Sequence, residues 1–77
     1  MAIKIEGKYS AAHRHLGRVL IKAGYEHEAI EILRKTIEID PEDKSALNSL
    51  GTALEKEGDV DGAIENYRKA IELDPEY

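Results

Sequence analysis

The chain has 77 residues, a formal charge of −5, and no Cys, Phe or Trp. That balance rules out disulfides and thiolate metal sites, disfavours charge-driven binding to nucleic acid, and leaves room for one small domain with a marginal core. No apolar run approaches the about 18 residues of a spanning helix, and Met1-Ala2-Ile3-Lys4 lacks a signal-peptide stretch, so a cytoplasmic protein with no membrane partner is expected.

Residues 1–9 lie over the chain's last residues, with Ala2/Ala70, Ile3/Ile71 and Tyr9/Tyr77 identical. They read as an N-terminal tail or as the end of a preceding repeat helix. The first helix follows, with Ala12, Leu16, Val19, Leu20 and Ala23 recurring at three- and four-residue spacing along one face. Gly24 ends it, as glycine does where φ must turn positive. A second stripe runs Ala29, Ile30, Leu33, Ile37 until Asp40-Pro41, because proline lacks a donor and disfavours helix in the residue before it. The third helix carries Ala46, Leu50, Ala53 and Leu54 up to Gly58. The fourth has Asp59 as its expected N-cap, then Ala63, Ile64, Tyr67 and Ile71, and stops at Asp74-Pro75. Glu31 and Lys35, like Glu65 and Lys69, form i,i+4 pairs in the favourable order on the solvent side of the second and fourth helices.

These four helices are two copies of one unit. Residues 10–43 lie over residues 44–77 without a gap, and 16 of the 34 positions are identical. A fixed period of that length signals stacked helical hairpins. Gly17/Gly51 and Ala29/Ala63 have a steric task, since larger side chains there would push the two helices of a hairpin apart.

The period and pattern resemble the tetratricopeptide repeat. The first unit reads His13-x-x-Leu16-Gly17-x-x-Leu20, then Ala29-x-x-x-Leu33, then Pro41. The second reads Leu47-x-x-Leu50-Gly51-x-x-Leu54, then Ala63-x-x-x-Tyr67, then Pro75. The family's aromatic positions have drifted to His13, Leu47, Leu20, Leu54 and Leu33, while its small residues and prolines are intact. The resemblance implies an all-α fold, an α-solenoid of tandem antiparallel helix–turn–helix repeats, spanning 10–43 and 44–77. It also implies a concave groove, lined by the first helix of each unit, that receives a partner's peptide or helix.

On that implied groove stand Arg14, Arg18, Ile21 and Lys22 of the first unit and Asn48, Thr52, Glu55 and Lys56 of the second, with Ala11 and Ser45 near its entry. Arg14, Arg18 and Lys22 step by four residues and make one basic stripe on an acidic chain. Arginine offers planar bidentate donors to carboxylates, so an acidic or carboxylate-bearing segment is the expected guest. Some family members clamp the carboxylate tails of chaperones with residues from three repeats. Here Arg14, Arg18 and Ser49 replace the clamp's Lys and Asn residues and the third repeat has no counterpart, so that activity is not carried over. The alternative is an oligomerisation module with no separate ligand. Stacked repeats bury their core only against neighbours, so self-association, or membership of a longer array, is expected.

No catalytic constellation is apparent, and no cofactor is implied. His13 and His15 are two apart, about 200° around a helix, and His27 stands by itself near the next helix start. There is no HExxH, no phosphate-cradling glycine loop and no Gly-x-Ser-x-Gly. Glu55, Glu57, Asp59 and Asp61 gather at one turn without the alternating spacing of a calcium loop. His13 takes the family's bulky packing slot and is expected to be partly buried.

Overall fold

The stop signals work locally as their chemistry requires. The computed structural model describes the backbone of residues 2–75 and the side chains of residues 10–75. Those residues form four helices: α1 (Ala2–Ala23), α2 (Glu26–Ile39), α3 (Lys44–Glu57) and α4 (Val60–Leu73). Gly24 and Gly58 both take positive φ, at 89° and 94°. Each glycine N–H donates three residues back, and the following N–H donates to the carbonyl five residues back, Tyr25 to Leu20 and Asp59 to Leu54 at 2.8 Å. This doubly bonded stop satisfies carbonyls that the end of a helix would otherwise leave open.

The second stop is different. Asp40 and Asp74 leave helical geometry and still donate their N–H groups back to Thr36 and Ala70, at 2.9 and 3.1 Å. Proline follows in each case. At the helix starts, Asp59 Oδ1 accepts from the Gly62 N–H at 3.0 Å, as expected, and Asp43 Oδ1 does the same for Ala46.

Residues 2–9 are not the end of a separate helix. They form the opening turns of α1, which runs unbroken to Ala23. The physical reason lies in the overlaid residues: Asp74-Pro75 stops α4, whereas Glu6-Gly7 offers a single glycine and no proline, too little to break a helix. The Tyr9/Tyr77 correspondence lies outside the described side chains.

Packing follows chain order: α1 on α2, α2 on α3, α3 on α4, with α1 also touching α3. The core lies where α2 and α3 meet, with Ala29, Ile30, Leu33, Ala46, Leu50, Ala53, Leu54 and Ala63 buried and Leu20, Ile21, Ile37 and Tyr67 packed against them. The close approach within each hairpin is literal. A Cβ on Gly17 would lie 2.7 Å from Leu33 Cγ, and one on Gly51 would lie 2.7 Å from Tyr67 Cε1.

Two expected apolar stripes are only partly covered. On α1, Leu20 packs inward, but Ala12, Leu16, Val19 and Ala23 are exposed. On α4, Ala63 is buried and Tyr67 half-buried, but Ile64 and Ile71 are exposed. The reason is positional: the matching face of α3 is covered by α2, whereas α1 and α4 each lack a helix on one side. The surface pairs differ as well. Glu31 stands 3.7 Å from the His27 Nε2, and Lys44 bridges to Asp74 at 3.1 Å; among the described residues neither Glu31–Lys35 nor Glu65–Lys69 forms an ion pair.

Candidate functional site

The residues expected on a shared groove do not stay together. Arg18, Ile21 and Lys22 from α1 face Thr52 and Ser49 from α3 across a shallow depression of about 160 Å³. Ser49, outside the expected set, completes it from one turn before Thr52. Ile21 forms the apolar part, since its side chain also packs against the core. Arg18 and Lys22 are exposed at the edge. The wall therefore combines an apolar floor, two hydroxyls and two cations.

Arg14 belongs to a different structure. Its Nη1 donates to Asp43 Oδ2 at 2.9 Å, and Ser10 Oγ donates to the same oxygen at 3.4 Å. Asp43 is buried, and its other oxygen caps α3. A buried carboxylate needs such partners, because leaving one unpaired in a poor solvent costs several kcal/mol. One aspartate thus joins the start of α3 to the side of α1. The basic stripe is correspondingly shortened: Arg14 is engaged, and Arg18 and Lys22 remain as the cations of the depression.

Thr52 and Glu55 are linked through a residue that sequence periodicity assigns to packing alone. Tyr67 comes up from α4 beside Gly51, and its hydroxyl donates to Glu55 Oε1 at 3.0 Å. The Thr52 hydroxyl lies 3.1 Å from the same phenol oxygen and 3.2 Å from the Asn48 carbonyl oxygen. Burial raises the Tyr67 phenol above its ordinary value; Thr52 opposes this, and the Glu55 carboxylate adds to it by hydrogen bond and by charge. A carboxylate is thereby held on α3 about one turn beyond Thr52, outside the lining of the depression.

Asn48 and Lys56 do not line the depression; Asn48 is half-buried and Lys56 exposed. Ala11 and Ser45 are half-buried. His13 is half-buried. Among the described residues no three His, Asp or Glu side chains gather as metal ligands. No helix among them is long and apolar enough to cross a membrane.

Larger hollows lie elsewhere. One of about 530 Å³ opens between α2 and α4 over Ile37, Leu47 and Leu50, where alternate helices do not touch. Another, of about 540 Å³, runs along the outer side of α4 past Ile64 and Arg68.

Comparison with known proteins agrees with the two-unit reading. Models of the tetratricopeptide repeat match residues 10–43 and residues 45–77. The chain is similar to a crystal structure of MamA at 36% identity and a TM-score of 0.82, covering 97% of this chain and 44% of that one. A second crystal structure of MamA gives 36% identity and a TM-score of 0.79, covering 96% and 40%. The chain therefore spans less than half the length of these structures. No curated protein matches the sequence.

Proposed function

Because the chain belongs to the tetratricopeptide repeat family, whose members are generally protein–protein interaction modules, we propose that it binds an extended segment of a partner protein across α1 and α3. The guest carries a carboxylate, received by Arg18 and Lys22, with an apolar side chain against Ile21. The observation that carries this reading is the depression itself. It joins both units, offers the hydroxyls of Ser49 and Thr52, the latter as an acceptor because its proton goes to the Asn48 carbonyl, and is edged on the α1 side by two cations that form no ion pair among the described residues. Exposed charges add specificity and encounter rate more than raw affinity. Glu55 refines the preference: a second carboxylate on the guest near α3 would meet a like charge, and a basic residue there would meet its complement.

The reading is one of binding, not catalysis, and needs no cofactor. The cytoplasmic setting expected from the sequence is part of the proposal, as is the absence of a nucleic-acid partner. The test is fluorescence anisotropy with a set of labelled peptides that differ only in carboxylate content. Arg18→Glu combined with Lys22→Glu should weaken the acidic peptides about tenfold or more and leave neutral ones unaffected; equal affinity in variant and parent would overturn the proposal. Arg14→Glu is the wrong variant for this purpose, because it disturbs Asp43 and with it the fold.

A second reading, self-association, is favoured by a separate observation: the uncovered apolar residues of α1 and α4.

A further inference from the structure

On the α3 side of the groove, the hydroxyl protons of Tyr67 and Thr52 are already committed. The Tyr67 phenol donates to Glu55 Oε1 at 3.0 Å, and the Thr52 hydroxyl donates to the Asn48 carbonyl at 3.2 Å. Carboxylate and carbonyl oxygens only accept, so both protons are spent inside the chain. A Thr52 proton turned instead to the phenol oxygen, 3.1 Å away, would be spent equally. What Thr52 shows the depression is therefore lone pairs, and a guest lying there must bring a donor.

We infer that α3 carries a second subsite, for a cationic side chain of the guest, made by Thr52 Oγ1 and the Glu55 carboxylate and positioned by Tyr67. The inference rests on the groove reading and deepens it. The guest is a segment with a carboxylate for Arg18 and Lys22 and, further along, a lysine or arginine for Thr52 and Glu55. A main-chain N–H would answer Thr52, but only a cation answers Glu55. That carboxylate is exposed and, among the described residues, no cation of the chain lies within ion-pair distance of it. Thr52 and Glu55 stand three residues apart on one helix, so their side chains are neighbours. An ammonium with three donors or a guanidinium with five can serve both.

The phenol distinguishes this carboxylate from a loose surface charge. An exposed ion pair contributes little, in part because holding long side chains in one geometry costs entropy. Here the glutamate is held before the guest arrives. The Tyr67 ring lies so close to Gly51 that a Cβ there would stand 2.7 Å from Cε1, and its hydroxyl reaches from α4 to Glu55 on α3. A group already fixed in its bound geometry adds affinity by lowering that ordering cost. Tyr67 acts through Glu55 and is a positioning residue.

The experiment is fluorescence anisotropy with short labelled peptides of glycine and serine that carry one leucine and one aspartate. Each is made with lysine, or with its uncharged counterpart norleucine, at a range of spacings from the aspartate. At the best spacing the parent should bind the lysine peptide about threefold or more tighter than the norleucine peptide. Glu55→Gln should erase that ratio, and Glu55→Lys should reverse it in favour of a peptide with glutamate at the same place. Glu55 is exposed, so both variants should keep the parent's helical circular dichroism. Tyr67→Phe keeps the ring against Gly51 and should bring the ratio towards one while the aspartate still contributes; a merely structural Tyr67 would weaken every peptide alike. An undiminished lysine preference in Tyr67→Phe would remove its positioning role. Equal affinity for lysine and norleucine at every spacing, with Arg18→Glu combined with Lys22→Glu still weakening the aspartate peptides, would overturn this inference and leave the groove reading standing. Affinity that ignores the aspartate would overturn both.

Discussion

Asp43 shows how much one side chain can coordinate in a fold this thin. It caps α3 through Oδ1 and receives Arg14 and Ser10 on Oδ2, so one residue orients two helices. Asp43→Ala should lower unfolding free energy by about 2–3 kcal/mol, combining a lost cap with a lost charge-assisted bond. Arg14→Glu should be comparably damaging, and Arg18→Glu should stay within about 0.5 kcal/mol as an exposed substitution. Urea denaturation of the three variants checks the order. Tyr67 gives a pH-dependent counterpart. Burial favours its neutral form, so the folded phenol titrates above the unfolded one. The associated stability is complete below about pH 10 and is lost as pH rises through the folded value. Phenolate absorbance should show the raised Tyr67 step vanish in Tyr67→Phe and move down in Glu55→Gln. Neither role was legible in the sequence. Asp43 meets its partners across 29 and 33 residues, a reach that no local spacing encodes, and Tyr67 sits on an apolar stripe whose periodicity says nothing about its hydroxyl. The N-cap role of Asp59 was legible because its partner is three residues away.

At the scale of the helix, the glycines do two unrelated jobs that a substitution can separate. Gly58 has nothing within 4 Å of where a Cβ would stand, so Gly58→Ala meets only the strain of positive φ. That strain is about 1 kcal/mol. Gly51→Ala places a methyl against the Tyr67 ring and should cost about 1–3 kcal/mol by overpacking, partly offset by alanine's better helix propensity. Thermal melts should distinguish them further: Gly58→Asn should recover much of the loss at the turn, whereas Gly51→Ser should recover none. Helix number, order and stops were readable in advance because each depends on residues within one turn. Which apolar residues end up covered was not. The Leu16 and Leu50 stripes look alike along the chain, and their fates diverge only because α3 has a helix on each side and α1 does not. The continuation of α1 back to Ala2 was missed for a related reason, a resemblance to α4 outweighing the missing proline.

Over the whole molecule, stability should be graded from centre to ends. The helices α2 and α3 are each flanked on both sides, and α1 and α4 on one. Native-state amide exchange should therefore be slowest in α2 and α3, with the outer helices opening at lower free energy. Uniform protection across all four helices would contradict this ordering. The groove proposal uses that gradient, because its lining comes from the sturdier α3 and the looser α1, so a guest that bridges them would slow exchange most in α1. The chain-order packing has one more consequence. No helix relies on anything beyond its second neighbour, so the junction between Asp43 and Lys44 is a seam. Duplicating residues 10–43 at that seam would place the new first helix between two second helices, as α3 already stands, with the duplicated aspartate again closing on its own arginine and serine. Architecturally the polypeptide resembles a modular shelf whose length is set by how many panels are inserted and not by any global closure.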